Sequence, residues 1–177
     1  GTELPVGPDG LIYPGTCRNR MAWERMFPES HPRPQDATLR LDVGVISPEV
    51  FQHRIDNPEG GWHSYAGYRE TGLGPGGVSG VIEFTPQDIQ SRIGDFVVAR
   101  RDMGTSYHLS VVVDDAAQGI SHVVRGADLT EATQIHVVLQ RLLGLPTPAY
   151  HHHRLIRDDQ GKRLAKRDDA RALAKYR

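Results

Sequence analysis

The sequence is poor in several things that would each have named a class of protein. A single cysteine, Cys17, rules out an internal disulfide framework. No apolar run approaches the ~18 residues needed to cross a bilayer, and the N-terminus lacks a signal-peptide pattern, which points to a cytoplasmic protein with no membrane partner. Excess charge is also missing: 21 Lys+Arg stand against 22 Asp+Glu, so no global field recruits nucleic acid. Trp23 and Trp62 carry no interpretable signal. The chain opens on Gly1-Thr2 in a Pro/Gly-rich stretch, which processing, a tag scar or a lost N-terminal part would each explain. At 177 residues the chain can bury one core.

What is present is an uneven charge distribution. Residues 151–177 hold nine Lys/Arg against four Asp, a local +5 that leaves about −6 elsewhere. Such asymmetry suits an anionic ligand gripped at one end. At its centre lies Gly161-Lys162-Arg163-Leu164-Ala165-Lys166-Arg167, a Gly-led loop that sets cations side by side as a polyphosphate requires. Taken alone it reads more simply as a solvated face.

Residues 1–38 are dense in Pro and Gly and read as turns. Tyr13 and Cys17 flank a Pro14-Gly15-Thr16 turn and can converge on one point. On their own they read as a buried Cys beside a packed Tyr, because zinc wants four ligands. Leu39, Leu41 and Val43 alternate with polar residues, predicting a strand within 37–46. Residues 47–80 show little periodicity and read as an insertion or mobile connection. Their run Gly72-Leu73-Gly74-Pro75-Gly76-Gly77 lacks the strand-then-helix context of a phosphate loop.

Residues 94–101 form a β-rich run. Val111 to Val113 favour a strand by propensity, yet Leu109, Val112, Val113, Ala116 and Ile120 fall at helical spacing before Gly119, and the helix Tyr107–Gln118 is the better reading. Ser121 to Arg125 follows as a short buried strand. Ile135, Val138, Leu139, Leu142 and Leu143 then define an amphipathic helix, opened by Thr130 or Thr133 and stopped by Gly144. A strand over 150–156, the basic loop, and a last helix capped by Asp168 or Asp169 complete the chain. Strand, helix and strand make a βαβ unit, whose ligands bind beyond the carboxyl ends of the strands. Arg125 and the basic loop should therefore face one crevice.

His151-His152-His153 tempts a metal reading, but in a strand only His151 and His153 share a face. Asp114 and Asp115 read as capping or packing residues at least as readily as an acid/base pair. Tyr107 is equally a core aromatic at a helix start, and Arg125 equally a structural ion pair with Asp114 or Asp128.

Three blocks in order, Ser106-Tyr107-His108-Leu109-Ser110-Val111-Val112-Val113-Asp114-Asp115, Gly119 to Leu129 and the basic loop, resemble the second half of the class I glutamyl-tRNA synthetase catalytic core. Within that group Arg125-Gly126-Ala127-Asp128-Leu129 is most similar to the glutamyl-queuosine tRNA(Asp) synthetases, which lack an anticodon-binding domain. The resemblance implies an α/β fold. Residues 94–177 would be the C-terminal half of a Rossmann-like nucleotide-binding core, and 1–93 an irregular insertion and zinc-knuckle-remnant region. It implies that Arg163, Leu164, Ala165, Lys166 and Arg167 occupy the KMSKS signature, with its first Lys replaced by Arg and its Ser by Ala, so that Lys166 holds the ATP phosphates. It implies that Tyr107 and Arg125 bind glutamate. Tyr13 and Cys17 become the remnant of a zinc site whose Cys-x-Cys pair is absent, so no metal is expected in this chain.

The family's first βαβ half, with its His-x-Gly-His signature, is also not found, which implies a C-terminal portion unable to activate glutamate by itself. The implied partners of the whole enzyme are ATP with Mg2+, glutamate and tRNA(Asp), acting on a monomer. A fragment charging tRNA(Glu), or a non-catalytic module binding nucleotide or RNA through its basic tail, are the alternatives.

Overall fold

The computed structural model describes residues 5–8, 10–15, 37–54, 62–157 and 160–161. Strands β1 (Val6–Gly7) and β2 (Gly10–Leu11) form a small hairpin. Strand β3 (Leu39–Leu41) is shorter than its alternation predicts. Asp42 Oδ1 accepts the Gly44 N–H at 2.9 Å and caps a 3-10 turn over Val43–Val45, so a local side-chain bond takes the backbone away from the ladder.

The described part of the segment 47–80 carries regular strands where the sequence showed little periodicity. It supplies the antiparallel pair β4 (Gln52–Arg54) and β5 (Trp62–Ser64), then the hairpin of β6 (Ala66–Glu70) and β7 (Gly80–Phe84). Alternation is present in β6, with Ala66, Tyr68 and Glu70 all buried, but a carboxylate in the third inward place conceals it. The Gly-rich run follows strand β6, which the sequence reading did not find, and leads through a 3-10 turn over Pro75–Gly77 to strand β7.

Helix α1 (Pro86–Arg92) follows, opened by a reciprocal capping box: Thr85 Oγ1 accepts from Asp88 N–H, and Asp88 accepts from Thr85 N–H at 2.9 Å. Strand β8 (Phe96–Ala99) pairs antiparallel with β3, apart from the main sheet. Helix α2 (Tyr107–Ala117) matches the predicted span. Ser106 Oγ caps its start, and Gly119, at φ +65°, lies just beyond its end. Its buried stripe is rotated from the predicted one: Val112 and His108 are buried, whereas Val113 is 45% exposed.

Strand β9 (His122–Gly126), helix α3 (Ala132–Leu142) and strand β10 (Ala149–His153) form the predicted βαβ unit, with β9 and β10 parallel and in register from Ala149↔His122 to His153↔Gly126. The main sheet runs β7-β6-β10-β9, with β10 parallel to β6 as well. It thus draws strands from both sides of residue 93. Among the described residues β9 is an edge strand, and Val124 is 67% exposed, which corrects the expectation of a buried strand. Helix α3 is buried continuously from Ala132 to Gln140, beyond the single apolar face predicted, while Leu142 and Leu143 reach the surface. Gly144, at φ +65°, ends it, the residue being free of the Cβ penalty there. Phe84, Ile89, Phe96, Ile135, Val138 and Tyr150 sit at the centre of the core.

Candidate active site

The carboxyl end of β9 carries Arg125, one residue before Gly126 and a 3-10 turn over Ala127–Leu129. Its guanidinium points into the molecule. Nε donates to His152 Nε2 at 3.1 Å, Nη1 to His136 Nδ1 at 3.0 Å, and Nη2 to Thr133 Oγ1 at 2.6 Å and to the Leu129 carbonyl at 3.3 Å. The guanidinium carbon lies 5.1 Å from the Tyr150 ring centroid, adding a cation–π contact. A guanidinium has five N–H donors, so these four bonds leave one donor, on Nη1, without a protein acceptor. A two-bond clamp on a carboxylate would need some of these bonds to open.

Each partner of Arg125 is itself held. His152 is fully buried and donates from Nδ1 to Glu70 Oε2, which fixes Nε2 as the acceptor facing Arg125. Glu70 Oε1 also accepts from the backbone N–H groups of Gly72 (2.7 Å) and His152 (3.0 Å). Burial alone would raise the Glu70 carboxyl, but these bonds and the His152 side chain outweigh it and hold it below its ordinary range. On the other side, His136 accepts from Arg125 at Nδ1, so its Nε2 donates to His108 Nδ1 at 2.9 Å. Burial first, then the Arg125 charge, push His136 down to about 2, and burial likewise lowers His152 despite Glu70. Both imidazoles are therefore neutral at neutral pH. The chain Glu70–His152–Arg125–His136 then contains one negative and one positive charge, mutually compensated.

Tyr107 lies at the end of this chain. It is 52% exposed at the first position of α2, not in the core, and its ring centroid is 6.1 Å from that of His136. A hollow of about 430 Å³ opens beside it, lined also by Arg100, Arg101, Asp102 and His108. Arg100 is engaged with Asp102, at 3.0 and 3.1 Å. A second hollow of about 670 Å³ sits where β6 and β9 end, lined by Leu73 to Gly77 and by Ala127, Asp128 and Thr130. Its place is the one the strand-end rule predicts. Arg125 lines neither hollow.

The other predicted residues divide plainly. Arg163, Leu164, Ala165, Lys166, Arg167 and Cys17 lie outside the described residues, as does the predicted last helix. The ring of Tyr13 packs 5.3 Å from the Arg40 guanidinium. Among the described residues no group of three His, Cys, Asp or Glu stands close enough to hold a metal, and no helix is long and apolar enough to cross a membrane. His151 and His153 are exposed on one face, as alternation requires, and His152 is buried on the other. In place of the Asp114 or Asp128 ion pair considered for Arg125, imidazoles and a hydroxyl take its donors.

Glu70 and His136 were not singled out from the sequence, Thr133 only as a helix start and His152 only within the histidine run. A signal existed for two of them. Thr133, His136 and Gln140 stand three and then four residues apart, a polar stripe along a helix otherwise buried all round. Polar residues so placed must find partners inside.

Comparison with known proteins now bears on this site. Residues 75–177 match the family of class I tRNA synthetases (E and Q), catalytic domain. A glutamyl-Q tRNA(Asp) synthetase from Rhodobacter capsulatus is 51% identical over 98% of this chain and 54% of its own length. Proteins of the same name from Verminephrobacter eiseniae and Burkholderia cenocepacia are 35% and 44% identical, covering 97% and 92% of this chain and 49% and 43% of theirs. The chain thus spans about half the length of the curated relatives it matches. A solved glutamate tRNA ligase from Elizabethkingia meningosepticum aligns with a TM-score of 0.47 at 21% identity, over 90% of this chain and 28% of that one. With more than half of its residues inside the family match, the chain belongs to the class I tRNA synthetases of the E and Q type, as part of their catalytic domain.

Proposed function

We propose that the protein containing this chain activates glutamate with ATP and transfers it to queuosine in the anticodon of tRNA(Asp). The observation that carries this reading is the match over nearly the whole chain to relatives named glutamyl-Q tRNA(Asp) synthetase. The geometry supports it. A carboxylate held beside Tyr107 would find an exposed phenol, and the half-buried Arg125 keeps one Nη1 donor that a carboxylate reaching it would engage in a charge-assisted bond, stronger than a neutral one. β10 runs parallel to β9, so the chain leaves it at the rim where Arg125 stands, and the basic stretch follows in the sequence.

In this reading the glutamate carboxylate attacks the α-phosphate of ATP, the Pα–O bond to pyrophosphate breaks, and negative charge collects on the departing oxygens. The ammonium of Lys166 would stabilise that charge, flanked by Arg163 and Arg167. ATP would arrive with Mg2+, which neutralises its phosphates. The glutamyl group then leaves AMP for queuosine. Residues 94–177 would supply the second half of the nucleotide-binding core. For zinc, Tyr13 and Cys17 provide two donors of the four such a site needs, so no step is assigned to it.

The test supplies full-length protein with ATP, labelled glutamate and two tRNAs, one specific for glutamate and one for aspartate carrying queuosine. Label on the aspartate tRNA is expected. Label on the glutamate tRNA alone would replace this reading with ordinary glutamyl-tRNA synthesis. Binding without label transfer, weakening steeply with salt, would mark a nucleic-acid-binding module.

A further inference from the structure

We infer that Glu70 and His152, assisted by Thr133 and His136, are positioning residues that set the plane of the Arg125 guanidinium and leave its remaining Nη1 donor for the substrate. This inference deepens the proposed function and rests on its assignment of a carboxylate ligand to Arg125.

An arginine side chain has several rotatable bonds, and a half-buried guanidinium on an edge strand could turn in its own plane. Here it cannot turn freely. Nε is met by His152, Nη2 by Thr133 and Leu129, and Nη1 by His136 on one side. The direction of the Nε bond is matched from the Glu70 end. Glu70 carries the negative charge and can only accept, so His152 must place its proton on Nδ1 and offer Nε2 as a lone pair. A His152 with the proton on Nε2 would set N–H against N–H and expel the Arg125 Nε donor. Glu70 is fixed in turn by the two backbone donors of Gly72 and His152. Its position is enforced from outside as well. At Gly72 a Cβ would lie 2.4 Å from the His152 carbonyl oxygen, so any side chain there would push β6 and β10 apart.

The strands explain why these groups meet. Tyr150 is in register with Glu70, and His152 with Arg125, so β10 carries the imidazole between the carboxylate of β6 and the guanidinium of β9. Helix α3 then brings Thr133 and His136, one turn apart, onto the other guanidinium nitrogens. Removal of a partner that orients another ligand commonly weakens binding by about tenfold or more.

The experiment compares wild type, Glu70→Gln and Thr133→Val in the full-length protein. Glutamate-dependent ATP–pyrophosphate exchange gives KM and kcat, and NMR gives the exchange rate of the Arg125 Nε proton with water and the protonated nitrogen of His152. Glu70→Gln is expected to raise the KM for glutamate about tenfold, to leave kcat and the KM for ATP within about threefold, and to speed Nε proton exchange. Thr133→Val should act in the same direction less strongly, and it decides the matter if Glu70→Gln fails to fold. Unchanged glutamate KM and unchanged proton exchange in a folded variant would overturn the inference, as would a wild-type His152 protonated on Nε2. Accelerated exchange in a protein whose wild type shows no glutamate-dependent activity would uphold the positioning and overturn the proposed function instead.

Discussion

At the scale of single residues, Arg125 was visible in the sequence as an arginine at a strand end, but its surroundings were not. Its partners come from β10 and α3, and Glu70 of β6, 55 positions away, reaches it only through His152, an arrangement that depends on the register of the sheet. His152 was read within a histidine run whose alternation was correct, while its burial against Glu70 depended on a strand not recognised as one. The buried imidazoles have a consequence for stability. His136 is held down to about 2, so the folded state keeps it neutral while the unfolded chain protonates it below the ordinary histidine range. Stability is therefore full above about pH 6.5 and falls as pH drops, by ~2 kcal/mol from this group at pH 5. Glu70, lowered below its ordinary value, adds a further loss once pH passes down through the carboxyl range. Thermal melts between pH 7 and pH 5 should show this decline, and His136→Gln should flatten it. Equal slopes in wild type and variant would remove His136 from the account.

At the scale of elements, both long helices were legible because they carry apolar spacing and glycine stops together, Gly119 after α2 and Gly144 after α3. Helix α1 was missed although Thr85-Pro86-Gln87-Asp88 spells a capping box with proline at the first helical position. The cap makes a direct prediction. Thr85→Ala removes the acceptor for Asp88 N–H and should cost about 1 kcal/mol, a fall in Tm of about 2–4 °C for a protein of this size. Calorimetry would show it, and an unchanged Tm would mean that packing of Ile89 and Ile93 holds α1 without its cap. The strands were read less well. β3 was cut short by a side-chain turn at Asp42, and β6 was hidden by the inward carboxylate that the Arg125 network uses. The feature that obscured the strand is the one that serves the site, since an ionised group facing a core breaks the expected pattern only where something inside needs it.

At the scale of the whole molecule, the sheet arranges three parallel strands, β6, β10 and β9, so that their carboxyl ends open on one rim. Lys166→Ala in the full-length protein should lower adenylate formation by on the order of a hundredfold with the melting temperature preserved. Full exchange activity in that variant would remove Lys166 from the phosphate site. The central claim concerns what the rim holds, and Arg125→Lys tests it most directly. Lysine keeps the positive charge but cannot reproduce a planar fork bonded at once to His152, His136 and Thr133. Measured by ATP–pyrophosphate exchange, the variant is predicted to raise the KM for glutamate at least tenfold while the KM for ATP stays close to wild type. Equal loss of both, or loss of neither, would contradict a carboxylate held by Arg125.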